Sequence, residues 1–157
     1  MAARGDAARG GRAMAVKIAK AKTVPTTGSV QAFLDGVADP VRRADCYTLV
    51  ELMKKATREE PRMWGSSIVG FGDAHCRGAG GRVSHAAMLA FSPRKKDLSI
   101  YLLDGVDAHG PDLDVLGIHA CGKGCLYLST LADVDVKVLA RILTNSAKNV
   151  KRLFPVQ

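Results

Sequence analysis

One stretch of the chain, residues 59–72, separates two different hydrophobic patterns. Before it, apolar residues recur at helical spacing, whereas after it they fall in short runs that are typical of strands. Pro61 has no backbone N–H and disfavours helix in the residue before it, so the preceding helix should end near Glu60. The chain therefore combines helices with a sheet, and each must bury its apolar face against the other.

Helical spacing predicts three main helices. Ser29 is an N-cap residue type, and the short helix after it has an apolar face formed by Val30, Phe33, Leu34 and Val37. Asp39 and Pro40 form the N-cap and first residue of a second helix, which reaches about Glu59. A last helix is expected to begin near Asp133 and to run to about residue 152.

Strand patterning covers four segments, 67–76, 85–91, 97–103 and 125–128. A loop with a short helix containing Leu113 and Leu116 separates the last two segments. The other connections are short, which favours antiparallel pairing. We therefore predict an α+β fold, with an antiparallel sheet of about four to five strands and helices packed on one face.

Length and charge favour one folded domain with a basic extension. A chain of 157 residues that is 47% hydrophobic can bury one substantial core. Residues 1–22 have little to bury and carry six basic residues and one acid, so we predict a disordered basic N-terminal extension followed by a single domain at 23–157. The domain itself is only mildly basic, which argues against a specific nucleic-acid partner.

The hydrophobic runs of the chain are short. None approaches the length of a membrane span, and no hydrophobic signal core is visible near residue 1. We therefore expect a cytoplasmic protein without a membrane partner. The sequence leaves its oligomeric state open.

Trp64, the only tryptophan, lies between Pro61 and the glycine-interrupted strand that contains Gly70 and Gly72. Such glycines often mark a close approach by another group, so Trp64 either closes the end of the core or walls a pocket. Basic turns at Arg94 and Lys95 and at Lys123 could add an anion-binding rim. The predicted site for a small, planar anionic ligand comprises Trp64, Gly65, Arg94, Lys95, Gly122 and Lys123.

A second cluster contains the residues of thiol chemistry. His119, Cys121 and Cys125 are close in sequence, and imidazole and thiolate ligands suit zinc or an iron–sulfur cluster. The three-residue gap between the cysteines is not a usual zinc spacing, and Cys125 alternates into a strand, where a buried cysteine acts as a small hydrophobe. A reactive Cys121 with His119 as its base is a further alternative. No cofactor is required by the sequence.

Several motifs together resemble the YdhG-like domain family of uncharacterised bacterial proteins. They occur in the family's order over roughly residues 22–150 and are Lys22-Thr23, Ser29-Val30, Phe33-Leu34, Glu59 to Gly72, Phe91 to Lys95, Tyr101-Leu102, Gly122-Lys123, Cys125 to Tyr127 and Leu131 to Asp135. The resemblance implies an α+β sandwich similar to frataxin. It implies no catalytic residue set.

Some relatives in that family are described as frataxin-like iron chaperones, so iron is implied by the resemblance alone. Frataxins bind iron through an acidic first helix, and the first helix here offers only Asp35, with Asp39 just beyond it. After Phe71-Gly72, relatives run through His-Tyr and another aromatic residue, whereas this chain has His75-Cys76-Arg77-Gly78 and then Val83-Ser84-His85-Ala86. We expect a non-enzymatic protein that binds a small ligand or a partner protein; the alternatives are an iron chaperone or thiol metal protein, and an enzyme acting on an anionic substrate.

Overall fold

The structure is a computed structural model that describes residues 25–77 and 83–154. The predicted extension at residues 1–22 lies outside these ranges. No helix within them is both long and apolar enough to cross a membrane.

The helices and strands follow one another in an α+β order. The helices are α1 (Val30–Asp35), α2 (Pro40–Thr57), α3 (Gly110–Asp114) and α4 (Val136–Leu153), and short 3-10 turns cover Val106–His109 and Leu131–Asp133. The strands are β1 (Pro61–Trp64), β2 (Ile68–Phe71), β3 (Ala74–Arg77), β4 (Val83–Ala86), β5 (Leu89–Pro93), β6 (Leu98–Leu102), β7 (Ala120–Cys121) and β8 (Cys125–Leu128).

Six strands form one antiparallel sheet in the order β1-β2-β5-β6-β8-β7, and β3 and β4 form a separate two-stranded sheet. The predicted α+β class and antiparallel pairing are confirmed, with more strands than expected. The additional strands β1 and β7 are the two edges of the large sheet. Both lack a strand signal in the sequence, because β1 begins at Pro61 and β7 is only two residues long.

The long helices α2 and α4 pack on the same face of the sheet, as predicted. Leu49 and Met53 of α2, together with Ile142 of α4, are fully buried in one core. On the sheet side the core continues through alternate residues of the central strands, namely Phe91, Leu98, Ile100, Leu126 and Leu128. Each fully buried side chain of this size contributes about 1.5–3 kcal/mol of hydrophobic stabilisation.

The first two helix starts agree with their predicted caps. Ser29 Oγ accepts a hydrogen bond from the Ala32 N–H (3.0 Å), and Asp39 Oδ1 accepts one from Val41 (2.9 Å). The last helix begins later than predicted, at Val136, because a 3-10 turn occupies Leu131–Asp133. The N-cap of α4 is Asp135.

Strands β2 to β5 form one long hairpin in a single register. Val69 pairs with Phe91 in the large sheet and His75 pairs with His85 in the small one, so partners in both ladders are equidistant from position 80. The predicted segments 67–76 and 85–91 are the two arms of this hairpin. Gly72, whose φ is +76°, lies between β2 and β3 in the first arm. The second arm is interrupted at the same level, between β4 and β5.

Candidate functional site

One row of paired residues crosses the sheet on the face opposite α2 and α4. Gly70 pairs with Ala90, Ala90 with Tyr101, and Tyr101 with Cys125. Since directly paired residues share a face, this row and its neighbours define what we call the outer face. The outer face also carries Trp64, Ile68, Ser92, Ser99 and Tyr127.

Trp64 is buried within the outer face. Its side chain is 1% exposed and clusters with Ile68 and Ala90. The indole fills the space above Gly70, because a Cβ at that glycine would lie 2.5 Å from Trp64 Cδ1. The glycine interruption predicted from the sequence therefore accommodates Trp64 itself. Among the described residues, none accepts a hydrogen bond from its indole N–H.

Tyr101 connects Arg94 to the cluster that contains Trp64. Arg94 Nη2 donates to the Tyr101 hydroxyl (3.0 Å), and Tyr101 packs against the cluster that contains Trp64. This hydrogen bond raises the pKa of Arg94 above its ordinary value, so the guanidinium is charged at all accessible pH values. Within residues 25–77 and 83–154, no carboxylate oxygen lies within 4.0 Å of a side-chain nitrogen of Arg94.

The turn that carries Arg94 is held from the helical layer by Arg42. The Arg42 guanidinium donates to the carbonyl groups of Arg94, Lys95 (3.0 Å), Lys96 (3.4 Å) and Ser129 (3.3 Å). The Arg42 guanidinium is therefore occupied by hydrogen bonds to backbone carbonyl oxygens. Arg94 and Lys95 themselves are exposed.

A groove of about 490 Å³ opens beside the same turn. Its walls come from α1 and its C-terminal loop, from α2 and from the end of β5, and they consist of Ala32, Phe33, Gly36, Val37, Arg42, Pro93 and Arg94. The volume is within the range of small-molecule sites. Phe33 and Val37, rather than Trp64, thus supply the apolar wall next to Arg94.

The six predicted ligand residues fall at two ends of the sheet. Trp64 and Gly65, which has a φ of +70°, share one end with Arg94 and Lys95, because β1 and β5 run in the same direction. Ser92 Oγ of β5 donates to the Ser67 carbonyl (2.6 Å) and so links β5 to the turn between β1 and β2. The turn with Gly122 and Lys123 follows β7 and precedes β8, which places it at the opposite end.

The predicted metal residues are not brought together. Cys121 pairs with the core residue Leu126, whereas Cys125 pairs with Tyr101 on the outer face, so the two thiols lie on opposite faces of the sheet. His119 Nδ1 lies 2.7 Å from the Gly117 carbonyl. Burial raises the pKa of Cys125, and partial desolvation together with Asp107 raises the pKa of the exposed Cys121, so neither thiol is activated.

A different group has metal-binding geometry. Asp73, His75 and His85 each offer a ligand atom, and these atoms all lie within 4.8 Å of one another. It is the sole such group of three among the residues that the structure describes. The sequence contained a signal for it, since Asp73 and His75 alternate onto one face of a strand and His85 mirrors His75 about the glycine-rich turn.

Asp104, His109 and Ser146 lie together but are buried and mutually bonded. Asp104 Oδ1 accepts from Ser146 Oγ (2.5 Å), and Oδ2 lies 2.9 Å from His109 Nε2 and accepts from Asn149 Nδ2 (2.9 Å). Both the Asp104 and His109 side chains are 1% exposed. Ser146 is bonded to the carboxylate and not to the imidazole, so this is a structural network rather than a nucleophile with its base.

Three acids at the first two helices, Asp35, Asp39 and Asp45, are hydrogen-bonded within the protein. Tyr47 donates to Asp35 Oδ1 (2.6 Å), and Asp39 caps α2. Asp45 Oδ2 accepts from Thr130 Oγ1 and from the Leu131 N–H, both at 3.1 Å. These side chains do not form the free acidic surface that iron binding on a first helix requires.

Comparison with protein-family models, curated proteins and solved structures finds no match for this chain.

Proposed function

We propose that the protein is a non-enzymatic binding domain that holds a small, planar anionic molecule in the groove beside Arg94. The observation that carries this proposal is the position of Arg94, an exposed cation without a carboxylate partner among the described residues, at a groove with an apolar wall. A guanidinium presents several donors in one plane and suits phosphate or carboxylate groups. Among the described residues, Tyr101 alone accepts a hydrogen bond from one of those donors.

The turn that carries Arg94 is held in place before a ligand arrives, which supports binding in the groove. Arg42 donates to carbonyl oxygens of the turn that carries Arg94, and Pro93 restricts the backbone before it. A ligand then meets an arginine whose backbone is already ordered, which lowers the entropic cost of binding. Phe33 and Val37 offer apolar area to a ring.

The state of the reactive groups that the structure describes supports a binding role. The three cysteines whose side chains are described have pKa values raised by burial, with that of Cys46 reaching about 11. Nucleophilic thiols instead have lowered pKa values. The buried Asp104 network is closed to substrate. The resemblance to the YdhG-like family, which implies no catalytic set, is consistent with a binding role and is part of the same proposal.

A thermal-shift screen with nucleotides, sugar phosphates and aromatic carboxylates tests the proposal. A ligand present at about 100 times its dissociation constant stabilises the protein by about 2.7 kcal/mol, which raises the melting temperature by several degrees. Any hit is then titrated by isothermal calorimetry against wild type and Arg94→Ala. We expect Arg94→Ala to weaken binding at least about tenfold, since a charged hydrogen bond is lost.

Two variants separate the groove from general surface charge. Lys96→Ala removes one positive charge from the same turn, and its side chain does not line the groove, so binding should be unchanged. Ala32→Leu places a larger side chain in the groove at an exposed helical position and should block binding without loss of stability. Equal weakening by Arg94→Ala and Lys96→Ala, or full binding by Ala32→Leu, would exclude the groove as the site.

A further inference from the structure

We propose that Asp73, His75 and His85 form a binding site for a borderline divalent transition ion such as Zn²⁺. The site lies on the β3–β4 hairpin and is independent of the groove beside Arg94. It differs from the acidic-helix iron site implied by the family resemblance in both ligands and location.

The hairpin geometry places all three ligands on one face. His75 and His85 are direct cross-strand partners, and Asp73, one residue before β3, has a carboxylate oxygen within 4.8 Å of a ring nitrogen of each. The two imidazole rings have centroids 4.5 Å apart and are inclined by 66°. His85 Nδ1 lies 2.8 Å from Asp73 Oδ1.

The backbone beneath these ligands is fixed by the opposite face of the hairpin. Ala74 and Ala86 are directly paired, and their side chains are 1% and 5% exposed. Ala74 packs into the main core. Rigid strands that carry the ligands reduce the cost of assembling a metal site.

The ligand atoms lie close enough for side-chain rotations to bring them onto one transition ion. With zinc–ligand bonds of about 2.0–2.1 Å, two ligands of a tetrahedral site lie about 3.3 Å apart. The ligand atoms here are all within 4.8 Å of one another, and the Asp73–His85 pair is already at 2.8 Å. His85 is exposed, so its ring can exchange its hydrogen bond to Asp73 for a bond to an ion at the surface.

The ligand types select the class of ion. Two imidazoles and one carboxylate suit zinc, cobalt, nickel, copper or ferrous iron, whereas magnesium and calcium prefer oxygen ligands alone. Three protein ligands leave at least one coordination position for water or for a further ligand. A mere surface pair between Asp73 and His85 is worth only about 0–1 kcal/mol and does not require His75.

Cobalt(II) and zinc(II) binding to the full chain, purified without a polyhistidine tag, tests the site. Cobalt absorption reports the ligand types, and competition against a chromophoric chelator gives the zinc affinity. We expect one equivalent of zinc bound, with magnesium unable to displace it. His75→Ala, His85→Ala and Asp73→Asn should each weaken zinc binding by about tenfold or more.

His119→Ala is the matched control, because His119 lies outside this group. It should leave zinc affinity unchanged. If an alanine variant lowers the melting temperature, His75→Gln or His85→Gln is tested in its place, because glutamine keeps most of the side-chain volume. Zinc binding that is absent in wild type, that survives both histidine substitutions, or that shows thiolate-to-cobalt charge-transfer bands would overturn the proposal.

Discussion

The indole of Trp64 occupies the volume that a side chain at Gly70 would need. A Cβ on Gly70 would lie 2.5 Å from Trp64 Cδ1, 2.7 Å from Trp64 Nε1 and 2.8 Å from Ala87 Cβ. Glycine is therefore required at this strand position by packing and not by its backbone angles. This contact fixes edge strand β1 against β2 on the outer face.

Gly70→Ala should consequently destabilise the protein. The added methyl group forces the indole or Ala87 to move in a buried cluster, and overpacking of this kind costs about 1–3 kcal/mol. Urea unfolding followed by Trp64 fluorescence measures the loss. Gly36→Ala is the control, because a Cβ at Gly36 would make only ordinary contacts, the nearest 3.4 Å from the Phe33 carbonyl oxygen, and its φ of −82° suits any residue. Similar stabilities for the two variants would contradict the packing explanation.

Arg58 ends α2 in a conformation that favours glycine. It is the one non-glycine residue with positive φ (62°) in the described part of the chain, and its N–H donates to the Lys54 carbonyl (2.7 Å). Arg58→Gly keeps this bond and removes the steric cost of the Cβ, so it should raise the free energy of unfolding by about 0.5–1 kcal/mol. Thermal unfolding measures it. Arg62→Gly, in a strand, should instead destabilise, and a lower melting temperature for Arg58→Gly would refute the cap.

Arg42 should be hard to replace even by lysine. Its guanidinium donates to several carbonyl groups in two turns, including those of Lys95 and Ser129. A lysine ammonium cannot match this planar set of donors, so Arg42→Lys should cost about 1–3 kcal/mol in chemical unfolding. Arg43→Lys is the matched control, because Arg43 Nη1 donates to the Val37 carbonyl alone (2.6 Å) and one ammonium can replace that bond. Equal losses for both variants would argue against the multiple contact.

Local signals predicted the helices and the central strands of this fold. Ser29, Asp39 and Pro40 carry their capping role in a few neighbouring residues, so the first two helix starts were predictable. The edge strands β1 and β7 were not, because they depend on partners in β2 and β8 more than on their own residues.

The candidate sites depend on long-range contacts, which a single sequence shows poorly. Arg94 and Lys95 were identified by charge, but the wall formed by Phe33 and Val37 arises where α1 meets the β5–β6 turn. The opposite faces of Cys121 and Cys125 follow from strand register. The short separation of Cys121 and Cys125 in the sequence did not reveal that they face opposite sides. The two residues lie in different strands joined by a turn, and the pairing register of each strand decides which way its cysteine points.

The hydrogen bonds of Asp104 also depend on long-range contacts. Its partners Ser146 and Asn149 lie more than forty residues away on α4, so no local pattern announced them. Burial acts to raise the pKa of Asp104, but hydrogen bonds from His109, Ser146 and Asn149, together with the charge of His109, outweigh it and hold the pKa below its ordinary value. The carboxylate is therefore the form that the folded state prefers.

Asp104→Asn should lower the free energy of unfolding by about 3 kcal/mol at pH 7, since it removes the charge and turns an amide N–H toward a donor. Because the folded pKa is depressed, the contribution of wild-type Asp104 is fully present above the unfolded pKa of about 3.9 and is lost as pH falls toward the folded value. The stability gap between wild type and Asp104→Asn should thus narrow below about pH 4. Urea unfolding across this pH range measures the gap, with the exposed neighbour Asp107→Asn as the control. A gap that stays constant down to acid unfolding would show that the carboxylate charge is not what holds the network together.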